Sequence, residues 1–114
     1  PSWRFGIIDL DGMWGYRTIA SQTLVLDIRD KLSSFEGMTW TAIESAGSHF
    51  ISKSDICPDA KRRLSHLRLD DVDELFSLRL TGKKRIWGIR DNEVLKILWW
   101  DPDHTICPSP KKHT

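Results

Sequence analysis

The stretch Asp73 to His104, DELFSLRLTGKKRIWGIRDNEVLKILWWDPDH, constrains the fold of this chain more than any other part. Three short apolar runs, ELFSLRL, RIWGI and EVLKILWW, are separated by Thr81-Gly82-Lys83 and by Asp91-Asn92. Glycine tolerates positive φ, and Asp and Asn hydrogen-bond their own backbone, so both separators are turn chemistry. Turns between runs rich in Ile, Val and Trp predict an antiparallel meander, with Asp91-Asn92 as a two-residue hairpin loop.

Side chains alternate across a strand. Phe76, Leu78 and Leu80 share one face of the first run, and Ser77, Arg79 and Thr81 the other. In the second run Ile86 and Gly88 oppose Arg85, Trp87 and Ile89. In the third, strict alternation places Leu95, Ile97 and Trp99 opposite Val94, Lys96, Leu98 and Trp100. The centre of the sheet is therefore apolar on both faces, which predicts helices on one side and partial cover on the other. Trp on the second face reads as core before platform. Gly88 inside a strand predicts a bulge or a close approach by another backbone.

Upstream, Trp3 to Leu10 reads as a first strand ending at the turn pair Asp11-Gly12. Met13 to Ala20 reads as an irregular aromatic loop around Trp14 and Tyr16. Ser21 to Glu36 is the clearest helix, because Val25, Ile28, Leu32 and Phe35 recur with a helical period. Ser21 or Thr23 can cap its start, and Gly37 can end it. A short second helix carries Trp40 and Ile43, capped by Thr39 or by a box from Thr41 to Glu44, and stops at Gly47. Ser48 to Ser54 reads as an extended piece around Phe50-Ile51, and Pro58 to Leu67 as a third helix with a stripe of Ala60, Leu64 and Leu67. Lys61, Arg62 and Arg63 then face solvent. Leu69 to Asp73 is an acidic connector, Thr105-Ile106-Cys107 continues an edge strand, and residues 108–114 form a proline-broken basic tail. The expected architecture is α+β: one domain over 1–107, with an N-terminal strand and a helical hairpin packed on a C-terminal antiparallel meander.

An apolar fraction of 39% and a charged fraction of 29% are ordinary for a globular domain. No apolar run approaches the ~20 residues of a membrane span, and no secretory leader pattern is visible. Two cysteines, Cys57 and Cys107, are too few for a disulfide framework and read as free thiols of a cytoplasmic protein. Net charge is +1 but uneven. From Arg79 onward eight Lys or Arg face four acids, and the remainder carries nine against twelve. A basic half built on the sheet points to an anionic partner; solvated edge charge that blocks strand-to-strand aggregation is the alternative.

Leu80-x-Gly82-x-x-Arg85, a tight polar turn, and an apolar strand closing on Ile97-Leu-Trp-Trp-Asp-Pro-Asp-His104 resemble the RelE/ParE superfamily of toxin-antitoxin toxins. The resemblance covers Asp73 to Cys107 in motif and the rest in element order. It implies a helical hairpin followed by a twisted antiparallel sheet. It also implies a ribonuclease cutting mRNA at the ribosome, or alternatively a gyrase-poisoning toxin, held in check by an antitoxin protein. Arg85 falls on the arginine that contacts the scissile phosphate in the ribonuclease members, and His104 on the histidine ending the last strand. Where those members often carry a C-terminal Tyr or His as acid or base, this chain reads Ile106-Cys107-Pro108.

Metal-free RNA cleavage needs a base for the 2′-OH, a cation for the anionic transition state and an acid for the leaving oxygen. His104 suits proton transfer and Arg85 suits phosphate. Arg79 shares the polar strand face, Asp101 and Asp103 stand near His104, and Lys83, Lys84, Arg90, Lys111 and Lys112 are candidate RNA contacts. His104-x-x-Cys107 with Cys57 and His113 is the one zinc-like set, and a lone spacing of this kind is weak, so no metal or cofactor is expected. A non-enzymatic module of the same fold, gripping nucleic acid or protein through its sheet, is the competing reading.

Overall fold

A computed structural model describes residues 1–108; the tail lysines Lys111 and Lys112, and His113, lie outside the described residues. The meander forms as its turns dictate: β3 (Glu74–Arg79), β4 (Arg85–Asp91) and β5 (Val94–Asp101) pair antiparallel in sequence order. The first turn closes with the Leu80 N–H on the Lys84 carbonyl and Gly82 at φ 52°. The second turn is shifted by one residue from expectation. Asp91 pairs with Val94, so the two-residue loop is Asn92-Glu93, with Asn92 at φ 55°.

Two strands extend the meander to five in the order β1-β5-β4-β3-β2. The extended piece at residues 48–54 becomes β2 (His49–Ser52), antiparallel to β3 with His49 opposite Ser77. The first strand is much shorter than its apolar run. Only β1 (Ser2–Arg4) pairs, and it lies parallel to β5, which makes the sheet mixed. Pairing is interrupted by a turn at Gly6-Ile7, closed by the Ile8 N–H on the Phe5 carbonyl at 3.1 Å. The Asp9 N–H then returns to the Leu98 carbonyl of the last strand at 2.9 Å while its buried carboxylate meets Arg63 and Trp99, and Gly15 folds tightly against the Leu10 and Asp11 carbonyls. A Cβ on Gly15 would stand 2.4 Å from the Leu10 oxygen.

The long helix forms, but its first half is wound as a π-helix, Thr23–Arg29, before α1 (Asp30–Phe35). The wider i→i+5 winding moves residues before Ile28 off the 3.6-residue register. Val25 is accordingly 50% exposed, while Ile28, Leu32 and Phe35 are buried. The short helix α2 (Trp40–Ser45) is capped by Thr39, whose hydroxyl accepts the Ala42 N–H at 3.1 Å. These helices cover one face of the sheet, packing on Phe76, Leu78, Leu80, Ile86, Leu95, Ile97 and Trp100. The third helix, α3 (Pro58–His66), covers half of the other, with Ala60 and Leu64 against Leu75, Trp87, Leu98 and Trp99.

Strict alternation in β5 fails at one place. Gly88 pairs with Ile97 and Trp87 with Trp99, which leaves Leu98 as an extra residue. This bulge turns Leu98 and Trp99 to the α3 face and Trp100 to the other. Gly88 permits it: a Cβ there would lie 2.3 Å from the Lys96 carbonyl oxygen. Thr105-Ile106-Cys107 is not a strand. His104, at φ 59°, reverses the chain, and Ile106 plugs into the α3-side core. Cys57 donates its N–H to the Ile106 carbonyl at 2.7 Å, and both cysteines are free and half-buried. Among the described residues no helix is long and apolar enough to cross a membrane.

The split between core and solvent along the first helix gives a direct check. Leu32→Ala should lower the unfolding free energy by about 2–5 kcal/mol. Val25→Ala should change it by no more than ~0.5 kcal/mol. Urea denaturation of both variants reads this, and equal losses would contradict the π-shifted register.

Candidate functional site

The α3 face of the sheet is divided. Its apolar half lies under α3, and its other half carries polar side chains set by strand register. Arg79 on β3 stands directly opposite Arg85 on β4, and Arg85 directly opposite Asp101 on β5. His49 on the β2 edge faces the same side, paired with Ser77 two residues from Arg79. The loop after β5 returns His104 to this corner, where the positive charges of Arg85, His49 and Arg79 all act on its ring. Two guanidiniums and two imidazoles thus converge on an open surface.

The loop is built by one buried carboxylate. Asp101 is fully buried and accepts the Trp87 indole N–H at 3.2 Å, the Thr105 N–H at 2.9 Å, the Thr105 hydroxyl at 3.1 Å and the Ile106 N–H at 3.0 Å. The Thr105 and Ile106 donors are those a continuing strand would have given to a neighbour, which is why the expected edge strand is absent. Asp101 therefore fixes the loop that carries His104 and makes no hydrogen bond to the imidazole itself.

The arginines have different surroundings. Arg79 is exposed, its backbone N–H is held by the buried Ser48 hydroxyl at 2.8 Å, and its side chain passes over Gly47, where φ is 115°. Arg85 is half-buried and turns one nitrogen onto the Gly82 and Lys84 carbonyls at 2.6 and 3.2 Å. Among the described residues, neither arginine is in a salt bridge. Desolvation, and then the charge of Arg79, lower the affinity of Arg85 for its proton; Asp101 offsets part of this. For His104, desolvation and then Arg85 push the pKa below the ordinary histidine value, with smaller contributions from His49 and Arg79 against the opposing Asp101. Its imidazole is thereby kept neutral near pH 7 and able to accept a proton.

Of the expected RNA contacts, the structure brings Arg79 to this corner, and Lys83 stands exposed in the adjoining turn. Lys84 is tied to Asp27 at 3.1 Å. Arg90 lies on the opposite face, ion-paired to Glu44 at 2.8 Å and stacked over Trp40 with 4.2 Å to the ring centre. Its even position in β4 sends it toward the helices, where it is a packing residue. Tyr16, the single tyrosine, is buried in that same core; burial pushes its hydroxyl pKa well up. His104, Cys57 and Cys107 do not gather into a metal-holding cluster among the described residues.

Two features escaped the sequence. His49 carried no motif, and only the β2–β3 register places it. Asp9 and Arg63 looked like a strand residue and a solvated helix charge. Instead Arg63 grips Asp9 through two bonds of 2.8 Å, and the Trp99 indole donates to Asp9 at 2.9 Å. Beside these, a cleft of about 420 Å³ runs under the loop between Trp14, Asp59, Asp101, Asp103 and Thr105. Its carboxylates disfavour an anion, whereas the open basic corner attracts one. Compared with protein-family models, curated proteins and solved structures, the chain matches none.

The Asp9 pair predicts a pH dependence of stability. Burial raises the Asp9 carboxyl pKa, but the bonds from Arg63 and Trp99 and the charge of Arg63 together outweigh it, so the net shift is downward. A carboxyl depressed in the folded state stabilises above its unfolded pKa of about 3.9, and that stability is lost as pH falls through the folded value. Thermal unfolding from pH 6 to 2 should show this loss in the wild type. Asp9→Asn should be less stable at pH 6 and flatter below pH 4; an unchanged slope would contradict the role of the pair.

Proposed function

We propose that this protein is the toxin of a toxin-antitoxin pair, a RelE-like endoribonuclease that cleaves mRNA at the ribosome without a metal. One observation carries the reading: Arg79 and Arg85 stand opposite each other with no salt bridge among the described residues, beside an imidazole held neutral by burial and by their charge. Like charges directly opposite across a sheet destabilise it. An RNA phosphate would supply the missing anion and engage the planar forks of both guanidiniums. A helical hairpin between the first two strands and an antiparallel β2–β5 sheet support the RelE/ParE-like arrangement. The protein would act in the cytoplasm and be restrained by an antitoxin protein.

In this reading His104 takes the proton of the 2′-OH, and the oxygen attacks the adjacent phosphorus. Arg85 and Arg79 stabilise the added negative charge of the transition state, where preorganised cations are worth most. The bond to the 5′-oxygen breaks, leaving a 2′,3′-cyclic phosphate and a 5′-hydroxyl. No step requires a cofactor.

Induced expression should arrest growth, and purified protein should cut ribosome-bound mRNA in excess chelator, leaving cyclic phosphate ends. Arg85→Ala should lower the rate about 10²–10³-fold, in the range seen for loss of one preorganised transition-state donor. The acid limb of the rate should lie below the ordinary histidine pKa of about 6.5. RNA binding without cutting, and no growth arrest, would replace this reading with a non-enzymatic nucleic-acid-binding module.

A further inference from the structure

The reaction above lacks its acid. The chain carries Ile106-Cys107-Pro108 after the last strand, with Ile106 buried, and Tyr16 is shut in the opposite core. Among the described residues, the remaining proton donor of suitable chemistry at the corner stands on the β2 edge. Resting on the ribonuclease reading, we infer that His49 is the general acid that protonates the leaving 5′-oxygen, opposite His104 as general base.

Three observations carry this. The first is register. His49 lies on the α3 face at Ser77, two residues along β3 from the Arg79–Arg85–Asp101 row. At a strand spacing of about 4.8 Å, β2 and β4 are roughly 10 Å apart, and we place a phosphate held by Arg79 and Arg85 between the two imidazoles. His104 approaches from the β5 side and His49 from the β2 side. In-line displacement needs this, because the attacking and leaving oxygens occupy opposite sides of the phosphorus.

The second is the orientation of the ring. His49 Nδ1 lies 3.2 Å from the Phe50 carbonyl oxygen. A carbonyl accepts only, so Nδ1 carries a hydrogen and donates it there. The remaining nitrogen, Nε2, is then the atom free to exchange a proton. In the imidazolium both nitrogens are donors, and the carbonyl bond holds the ring while Nε2–H is offered.

The third is the difference between the two surroundings. His104 is half-buried on a loop braced by Asp101, whereas His49 is exposed at a sheet edge. Arg79, Arg85, His49 and Asp101 are the charged or titratable groups that act on His104. Arg79 lies diagonally across from His49, Arg85 one strand further, and the Asp101 carboxylate is occupied by the Trp87 indole and by Thr105 and Ile106. His49 is open to solvent, while burial and the neighbouring charges lower the pKa of His104 and favour its role as base. The balance is closed: one proton passes from the 2′-OH to His104, and one passes from His49 to the 5′-oxygen as the P–O bond breaks.

The test is leaving-group rescue. Ribosome-bound mRNA with a mapped cut site is prepared with the bridging 5′-oxygen replaced by sulfur, which departs without protonation. His49→Ala, shown folded by circular dichroism, should cut ordinary mRNA about 10²–10⁴-fold more slowly than wild type, the usual contribution of general acid catalysis. On the sulfur substrate it should return to within about tenfold of wild type. His104→Ala should stay slow on both. Should His49→Ala fold poorly, His49→Gln serves with the same expectations. A His49 variant that cuts ordinary mRNA at the wild-type rate, or is equally slow on both substrates, overturns the assignment while leaving the ribonuclease reading in place. Wild-type protein that cuts neither substrate overturns both.

Discussion

The buried carboxylate of Asp101 is the constraint on which the open corner of this sheet depends. A charge taken out of water costs several kcal/mol unless its lone pairs are filled. Asp101 fills them with the Trp87 indole, the Thr105 N–H and hydroxyl, and the Ile106 N–H. Those bonds end β5, force His104 into the left-handed region at φ 59° and bury Ile106 as the plug of the α3-side core. They also leave Arg85, the cross-strand neighbour of Asp101, without an ion pair among the described residues. The structural role of one acid thus creates the unbalanced positive charge of the site.

A second buried acid organises the other half of the same face. Asp9 donates its N–H to the Leu98 carbonyl of β5, and its carboxylate binds the Trp99 indole and receives both arms of Arg63 from α3. Trp99 reaches it because the bulge at Leu98 turns that ring toward α3. Two tryptophans from adjacent strands therefore each donate to a different aspartate, one beneath α3 and one at the rim of the exposed corner. Between them the face passes from packed core to a basic surface within a few residues.

The meander, its turns to within one residue, and the core role of Ile28, Leu32 and Phe35 were legible because turn chemistry and apolar period act locally. The bulge was not, since adding Leu98 changes no composition and Gly88 alone marks the spot. The exposure of Val25 depends on a π-winding that a 3.6-residue template cannot register. Among the candidate site residues, Arg85 and Arg90 look alike in sequence, yet they sit five positions apart in one strand. Their parity sends Arg85 to the open face and Arg90 under Glu44 and over Trp40. That distinction was available from alternation. Lys84 was not, because its partner Asp27 comes from a helix whose docking only the tertiary structure fixes. Nor was His49, whose place depends on an edge pairing of four residues.

The central claim is that the corner formed by His49, Arg79, Arg85 and His104 is where an RNA phosphate sits. The most direct measurement is a side-chain and backbone NMR titration with an RNA oligonucleotide made uncleavable by 2′-O-methylation. Saturable shifts should centre on the two histidine rings and the guanidinium resonances of Arg79 and Arg85. They should weaken as salt rises, because phosphate contacts release counterions. Shifts confined to Arg62 and His66 on α3, or none at these four residues, would contradict the account.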